Sequence, residues 1–145
     1  MRDHTSSVVF KRVLSPVSVS DNTALVGQII DRQGYDALTY AILTGSIADA
    51  DATFTVLLEE GNESNLSDAA AIADADMISQ NSSAPETGAA FQFDDDNEVR
   101  KIGYRGNMRY SRLTVTPVNN ASAAVLAAVA ILSAPENAPV TQPAA

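Results

Sequence analysis

Along most of this chain apolar and polar positions alternate in short runs, and each run is stopped by Gly, Pro, Asn or Asp. That is the pattern of a strand-built domain. Val8 to Leu14 forms a first run, closed by Ser15-Pro16 because proline offers no amide to a ladder and restricts the residue before it. Val17 and Val19 alternate with Ser18 and Ser20, and Leu25 to Ile30 is a further apolar patch closed by Asp31-Arg32-Gln33-Gly34. Tyr35 to Thr44 is the clearest early strand: Leu38, Tyr40 and Ile42 share one face at period two, and Gly45 ends it. Ala52 to Glu60 repeats the arrangement with Phe54, Val56 and Leu58, then stops at Gly61-Asn62.

The stretch 64–83 breaks the alternation. Leu66, Ala69, Ala70 and Ala73 have helical spacing behind Ser64, which predicts one or two helical turns on an exposed excursion. Gln80 to Gly88 reads as a surface loop. Strands resume at Ala90 to Phe93, Glu98 to Tyr104 and Arg109 to Thr116, with Arg105-Gly106-Asn107 as a tight hairpin turn between the last two. Ala123 to Leu132 is apolar on both faces, as expected of a strand covered on both sides. The chain from Ala134 carries Pro135, Pro139 and Pro143 and reads as an extended arm. About eight short strands so punctuated predict an all-β, single-domain β-sandwich or jelly roll. The expected division is an N-terminal arm over 1–7, a sandwich over 8–133 and a Pro-rich arm over 134–145.

Composition refines this picture. The 145 residues suffice to bury a core without staples, but much of the 46% hydrophobic content is alanine and tryptophan is absent, so the core should be thin. Cysteine is absent, which excludes disulfides, thiol nucleophiles and Cys-based metal sites. Nine basic residues face eighteen acids for a formal charge of −9, a surface that repels nucleic acid and anionic membranes. The charges are segregated along the chain. No Lys or Arg occurs between Gln33 and Val99, and thirteen of the acids lie there from Asp49 to Glu98, whereas Arg100, Lys101, Arg105, Arg109 and Arg112 fall close together. Those five, with Pro135, Pro139 and Pro143, are the expected partner-binding residues; alternation places Arg100 and Arg112 on exposed strand faces. No membrane span is expected, since the longest apolar run, near residues 121–134, is short and Ala-rich.

Little in the sequence carries chemistry. Asp94, Asp96 and Glu98 offer oxygens at alternate positions, as a calcium loop would, but without the central glycine or the distant bidentate glutamate. An acidic turn without metal is the reading, and no cofactor is expected. The one histidine, His4, lies in the N-terminal segment, where no Ser–His–Asp site is expected. Gly103-Tyr104-Arg105-Gly106 lacks the Lys-Ser/Thr of a phosphate loop. Tyr104 and Tyr110 beside the basic cluster raise base stacking, which the overall charge opposes. Binding rather than catalysis is expected.

The segments Asp36-Ala37-Leu38-Thr39-Tyr40, Gly45 to Glu60 and Lys101 to Pro117, with the Ala-rich last strand and the ending Ala138-Pro139-Val140, resemble small head-module proteins of tailed bacteriophages over most of residues 35–140. The resemblance implies a virion protein, and at this size a capsid decoration (cement) protein. Such a protein is made in the host cytoplasm, lies on the outer surface of the shell across capsomer joints, and has as partners the major capsid protein and itself, as a dimer or trimer. No residue-level site comes with the resemblance. A head–tail connection, tail or head-fibre component is the alternative within the virion, and a carbohydrate- or calcium-binding β-sandwich is the alternative outside it.

Overall fold

The alternating runs become two antiparallel sheets packed face to face. The computed structural model describes residues 2–142. Its strands are β1 (Val9–Val19), β2 (Leu25–Val26), β3 (Ile30–Asp31), β4 (Tyr35–Ile47), β5 (Thr53–Gly61), β6 (Ala70–Ala71), β7 (Met77–Ile78), β8 (Phe91–Gln92), β9 (Val99–Tyr104), β10 (Tyr110–Val118) and β11 (Ala124–Pro135). One short helix, α1 (Pro85–Ala89), and two 3-10 turns, Thr5–Ser7 and Asp74–Asp76, complete the elements. The first sheet runs β1-β11-β4-β9-β7; the second runs β2-β10-β5-β6, with β3 also pairing β10 and β8 also pairing β5. The all-β sandwich expected from the pattern is therefore the fold. The eight expected strands become six long ones and five two-residue pairings.

The core lies between the sheets. Leu38, Tyr40 and Ile42 of β4 and Leu126, Ala128, Ala130 and Leu132 of β11 face Phe54, Val56 and Leu58 of β5 and Leu113 and Val115 of β10, all buried. Alanines on β11 keep this layer thin, and the Phe54–Phe91 stack, 4.7 Å between centroids, supplies much of its bulk. One polar bond crosses the core: the Tyr40 hydroxyl donates to Ser111 Oγ at 3.0 Å, and burial holds its proton well above the usual phenol range.

A backbone stitch closes one side of the sandwich. Gly27 N–H donates to Leu113 O of the second sheet at 2.8 Å, and Gln28 N–H donates to Val13 O of the first at 3.0 Å. Only glycine fits at 27, because a Cβ there would lie 2.5 Å from Leu113 O and 2.6 Å from Val13 Cγ1.

Several boundaries differ from the sequence reading. Pro16 does not end the first strand: β1 continues to Val19, with its register to β11 shifting between Leu14 and Val17. β1 is an edge strand, and at an irregularity on an edge proline's missing amide costs no ladder bond. Gly45 likewise lies inside β4, packed on Val125, rather than at its end. The excursion 64–83 forms no α-helix. Its buried anchors are Leu66, Ile72 and Met77, at no helical spacing, while Ala69, Ala70 and Ala73 are exposed. Asp68 folds the loop by accepting from Asn62 N–H at 2.7 Å and Glu63 N–H at 3.2 Å. The helix falls instead in the expected loop, at Pro85–Ala89, where proline fits the first turn because its missing amide would have been unpaired there. Arg105-Gly106-Asn107 makes no hairpin, since β9 and β10 belong to different sheets. Gly106 is there because the Tyr104 ring lies on it, leaving a Cβ only 2.5 Å from the hydroxyl.

The two arms are also not free extensions. β11 continues to Pro135, which pairs with Tyr35, so the sandwich runs past residue 133. Beyond it, Val140 packs against the core and its N–H donates to Ser6 O at 2.9 Å, while Gln142 Oε1 accepts from Phe10 N–H at 2.7 Å. Residues near 6 and 140 thus lie side by side along the β1 edge, covering backbone that would otherwise be an open template.

α1 seals another edge with a side chain. Glu86 Oε1 accepts from Leu58 N–H at 2.7 Å, between the stretches of β5 that pair with β8 and β6. Burial raises the Glu86 carboxyl above its ordinary value, outweighing the Leu58 bond, which lowers it. The folded state therefore holds this proton more tightly than the unfolded state. The resulting contribution is complete below the unfolded value and is lost as pH rises through the folded one. Glu86→Gln keeps a carbonyl acceptor and removes the titration. In urea unfolding between about pH 4 and 7, wild type should lose stability relative to Glu86→Gln as pH rises; parallel profiles would show that the carboxyl is not desolvated.

Candidate functional site

The outer surfaces of the two sheets differ in chemistry. Outward on the second sheet are Thr53, Thr55, Thr114 and Thr116 among the exposed apolar Val26, Leu57 and Val118, with the ion pair of Arg112 and Glu59 beside them. Outward on the first sheet is an aliphatic face. Register sets its rows: Phe10, Ile131, Thr39, Gly103 and Ile78 lie across all five strands, and Arg12, Val129, Ala41 and Lys101 form the next row. Ala127, Leu43 and Val99 form a third, with Val125 beyond it against Gly45. Phe10, Ile78, Val99, Leu43 and Val125 are between 41% and 64% exposed, which marks the face as uncovered. The charges in these rows, Arg12 and Lys101, are both basic. In a chain of net charge −9, no carboxylate occupies them.

Gly103 makes a depression in this face. Having no side chain, it floors a hollow of about 400 Å³ bounded by Thr39, Ile78 and Lys101. A Cβ at 103 would meet nothing nearer than 3.7 Å, so packing within the chain does not require glycine here.

The basic cluster does not form one strip. Arg100 and Lys101 lie on β9 of the first sheet and Arg112 on β10 of the second. Arg100 turns inward on the row of Ile42, where it pairs with Asp95 at 2.6 Å and Glu98 at 3.0 Å. Arg112 is half-buried and bonds Glu59 Oε2 through Nε at 3.0 Å and Nη2 at 2.8 Å. The expectation of an exposed face is corrected for Arg100, which Asp95 and Glu98 hold on the inward row; Arg112 stands on the outward face as expected, drawn down onto the sheet by Glu59. Arg109 forks onto Asp31 at 2.9 and 2.8 Å, and that bond holds the Asp31 carboxyl below its ordinary range. Arg105 Nε donates to Ala75 O at 2.9 Å. Lys101 is exposed and, among the described residues, makes no ion pair.

The acidic candidates also separate. Asp94 Oδ1 accepts from Gln92 Nε2 at 2.9 Å, Asp96 Oδ1 from Ile47 N–H at 2.9 Å, and Glu98 goes to Arg100. Among the described residues no three His, Cys, Asp or Glu side chains converge as metal ligands would. Pro135 ends β11 and Pro139 is exposed beside Val140; Pro143 lies outside the described residues. Tyr104 donates to Glu60, accepts from Met108 N–H at 2.9 Å and lies under Arg32, 5.1 Å from guanidinium carbon to ring centroid. Burial, and then the Glu60 bond, push this phenol up to about 12. It fastens β9 to the second sheet rather than presenting a stacking ring. The uncovered face has no counterpart in the charge pattern of the sequence; its signal there is the two apolar faces of 123–132.

No protein-family model matches this chain, and no curated protein does. Among solved structures, the SPBc2 prophage-derived protein YomS is similar over 86% of this chain and 92% of its own, with 9% identity and a TM-score of 0.46. The Clostridium thermocellum xylanase 10B fragment with CBM22-1 and GH10 modules is similar over 95% of this chain and 28% of its own, at 9% and 0.45. Latent PorU from Porphyromonas gingivalis is similar over 88% and 12%, at 9% and 0.42. None of these likenesses is close enough to assign a role.

Proposed function

We propose that this protein is a non-enzymatic structural component of a tailed-phage virion, a decoration protein that binds the outside of the capsid shell. The observation that carries the reading is the acid-free aliphatic face of the first sheet, which suits burial against protein and no chemistry. The sequence resemblance to head-module proteins supplies the setting. The arrangement of the charged groups agrees with it, because four of the five clustered basic residues bond to the protein's own carboxylates or carbonyls. At surface positions such pairs add little stability and serve to fix loops and strands.

Purified particles test the reading. Quantitative mass spectrometry should find the protein at a copy number comparable with that of the major capsid protein, and cryo-EM should place it on the outer surface. A dozen copies confined to one vertex would assign it to a connector instead. Its absence from particles would overturn the virion reading.

A further inference from the structure

The aliphatic face of the first sheet is built of residues whose patterning calls for cover. β11 is apolar on both sides, yet the sandwich covers only one: Leu126, Ala128, Ala130 and Leu132 are buried, while Val125 on the opposite side is 41% exposed. We propose that a second copy of this chain covers the face, the two copies packing sheet to sheet about a two-fold axis parallel to the strands. The proposal rests on the reading of this face as an assembly surface and names its occupant.

Charge permits a second copy on this face. Two molecules at −9 repel wherever carboxylates meet, and this sheet face lets them approach with none in the contact rows. Shape agrees with the two-fold. Phe10 protrudes at one side of a row, and the Gly103 hollow lies three strands away in the same row. Rotation about an axis between β11 and β4 exchanges these positions, so each Phe10 seats in the other copy's hollow, as an isologous interface requires. The same rotation brings Arg12 toward Lys101 of the other copy. Arg12 is held at the β1 edge by Ser15 Oγ and Gln28 Oε1, both at 3.0 Å, which draws it away from the contact.

Size sets the strength. Five strands spaced about 4.8 Å apart, and about seven residues along β4, give roughly 500 Å² per copy, at the lower limit for a specific interface. The pair should be reversible. Because its copies carry like charge, added salt should strengthen it, whereas contact between opposite charges would weaken.

Sedimentation equilibrium on the full chain tests this. The mass should rise from 15.2 kDa toward twice that value with concentration, and more readily at high salt. Leu43→Glu on the face, and Gly103→Val filling the hollow, should shift association at least tenfold toward monomer with melting unchanged. Leu57→Glu, a comparably exposed position on the second sheet, should leave it intact. Monomeric wild type throughout, or loss through Leu57→Glu and not Leu43→Glu, would overturn the second copy as occupant. If monomeric wild type still decorates shells in a way that Leu43→Glu abolishes, the face belongs to the shell protein and the assembly reading survives. Failure of that reading shows on particles, not in the centrifuge.

Discussion

Replacing Phe54 by Ala should remove about 3–5 kcal/mol of stability, the usual cost of deleting a buried phenyl ring. Phe54 is 1% exposed and stacks on Phe91 at 4.7 Å with the rings 10° from parallel. Its loss would leave β8 attached to β5 at Thr53 and the emptied position 54 alone. The neighbours that could collapse into the gap are poor fillers, because β11 faces the core partly with alanines. Against a total stability of about 5–15 kcal/mol, the variant should be marginally folded, with a melting point lower by more than about 10 °C. Urea unfolding measures it. A cost below about 1 kcal/mol would mean that the stack contributes little to the core.

The second large effect concerns too little space rather than too much. Gly27→Ala should cost about 3 kcal/mol, near the upper end for overpacking, seen as a fall of about 10 °C in melting temperature. The new Cβ would meet a backbone oxygen, Leu113 O at 2.5 Å, which cannot rotate away as a side chain would. Relief requires breaking the Gly27 N–H bond to the same oxygen, and that bond, with the one from Gln28 to Val13, joins the two sheets. Gly34→Ala is the useful contrast. Gly34 has φ of +86°, and an added methyl there would find nothing within 4 Å, so its cost of about 1 kcal/mol is conformational alone. Equal losses at the two positions would remove the steric explanation for Gly27.

Fold class was legible because period-two alternation is a direct imprint of a half-buried sheet: Leu38, Tyr40 and Ile42, and Phe54, Val56 and Leu58, are inward-facing as read. Connections were less legible. Helical spacing at Leu66, Ala69, Ala70 and Ala73 misled because alanine is small enough to be exposed without cost, and the burial of Ile72 and Met77 decided the path. Charge clustering along the sequence misled for a different reason. Adjacent strands β9 and β10 part to opposite sheets, so neighbours in sequence become separated in space and find their carboxylates locally. The strand at 123–132 reads as covered on both sides, whereas the sandwich covers one and leaves Val125 on the other 41% exposed; two apolar sides report a demand for cover without saying what supplies it.

The side-by-side course of residues near 6 and 140 has a mechanical consequence. Val9 and Leu132 form the pair of the β1–β11 ladder nearest to them. Tension applied through the two segments in opposite directions acts across the strands, along the ladder's hydrogen bonds, because those bonds lie perpendicular to antiparallel strands. The ladder then peels from Val9–Leu132 one pair at a time, and the force at any moment falls on a single bond instead of being shared in shear. A protein tethered through both of these segments would be a weak link under load. Held by its sheet face, it would resist as a unit.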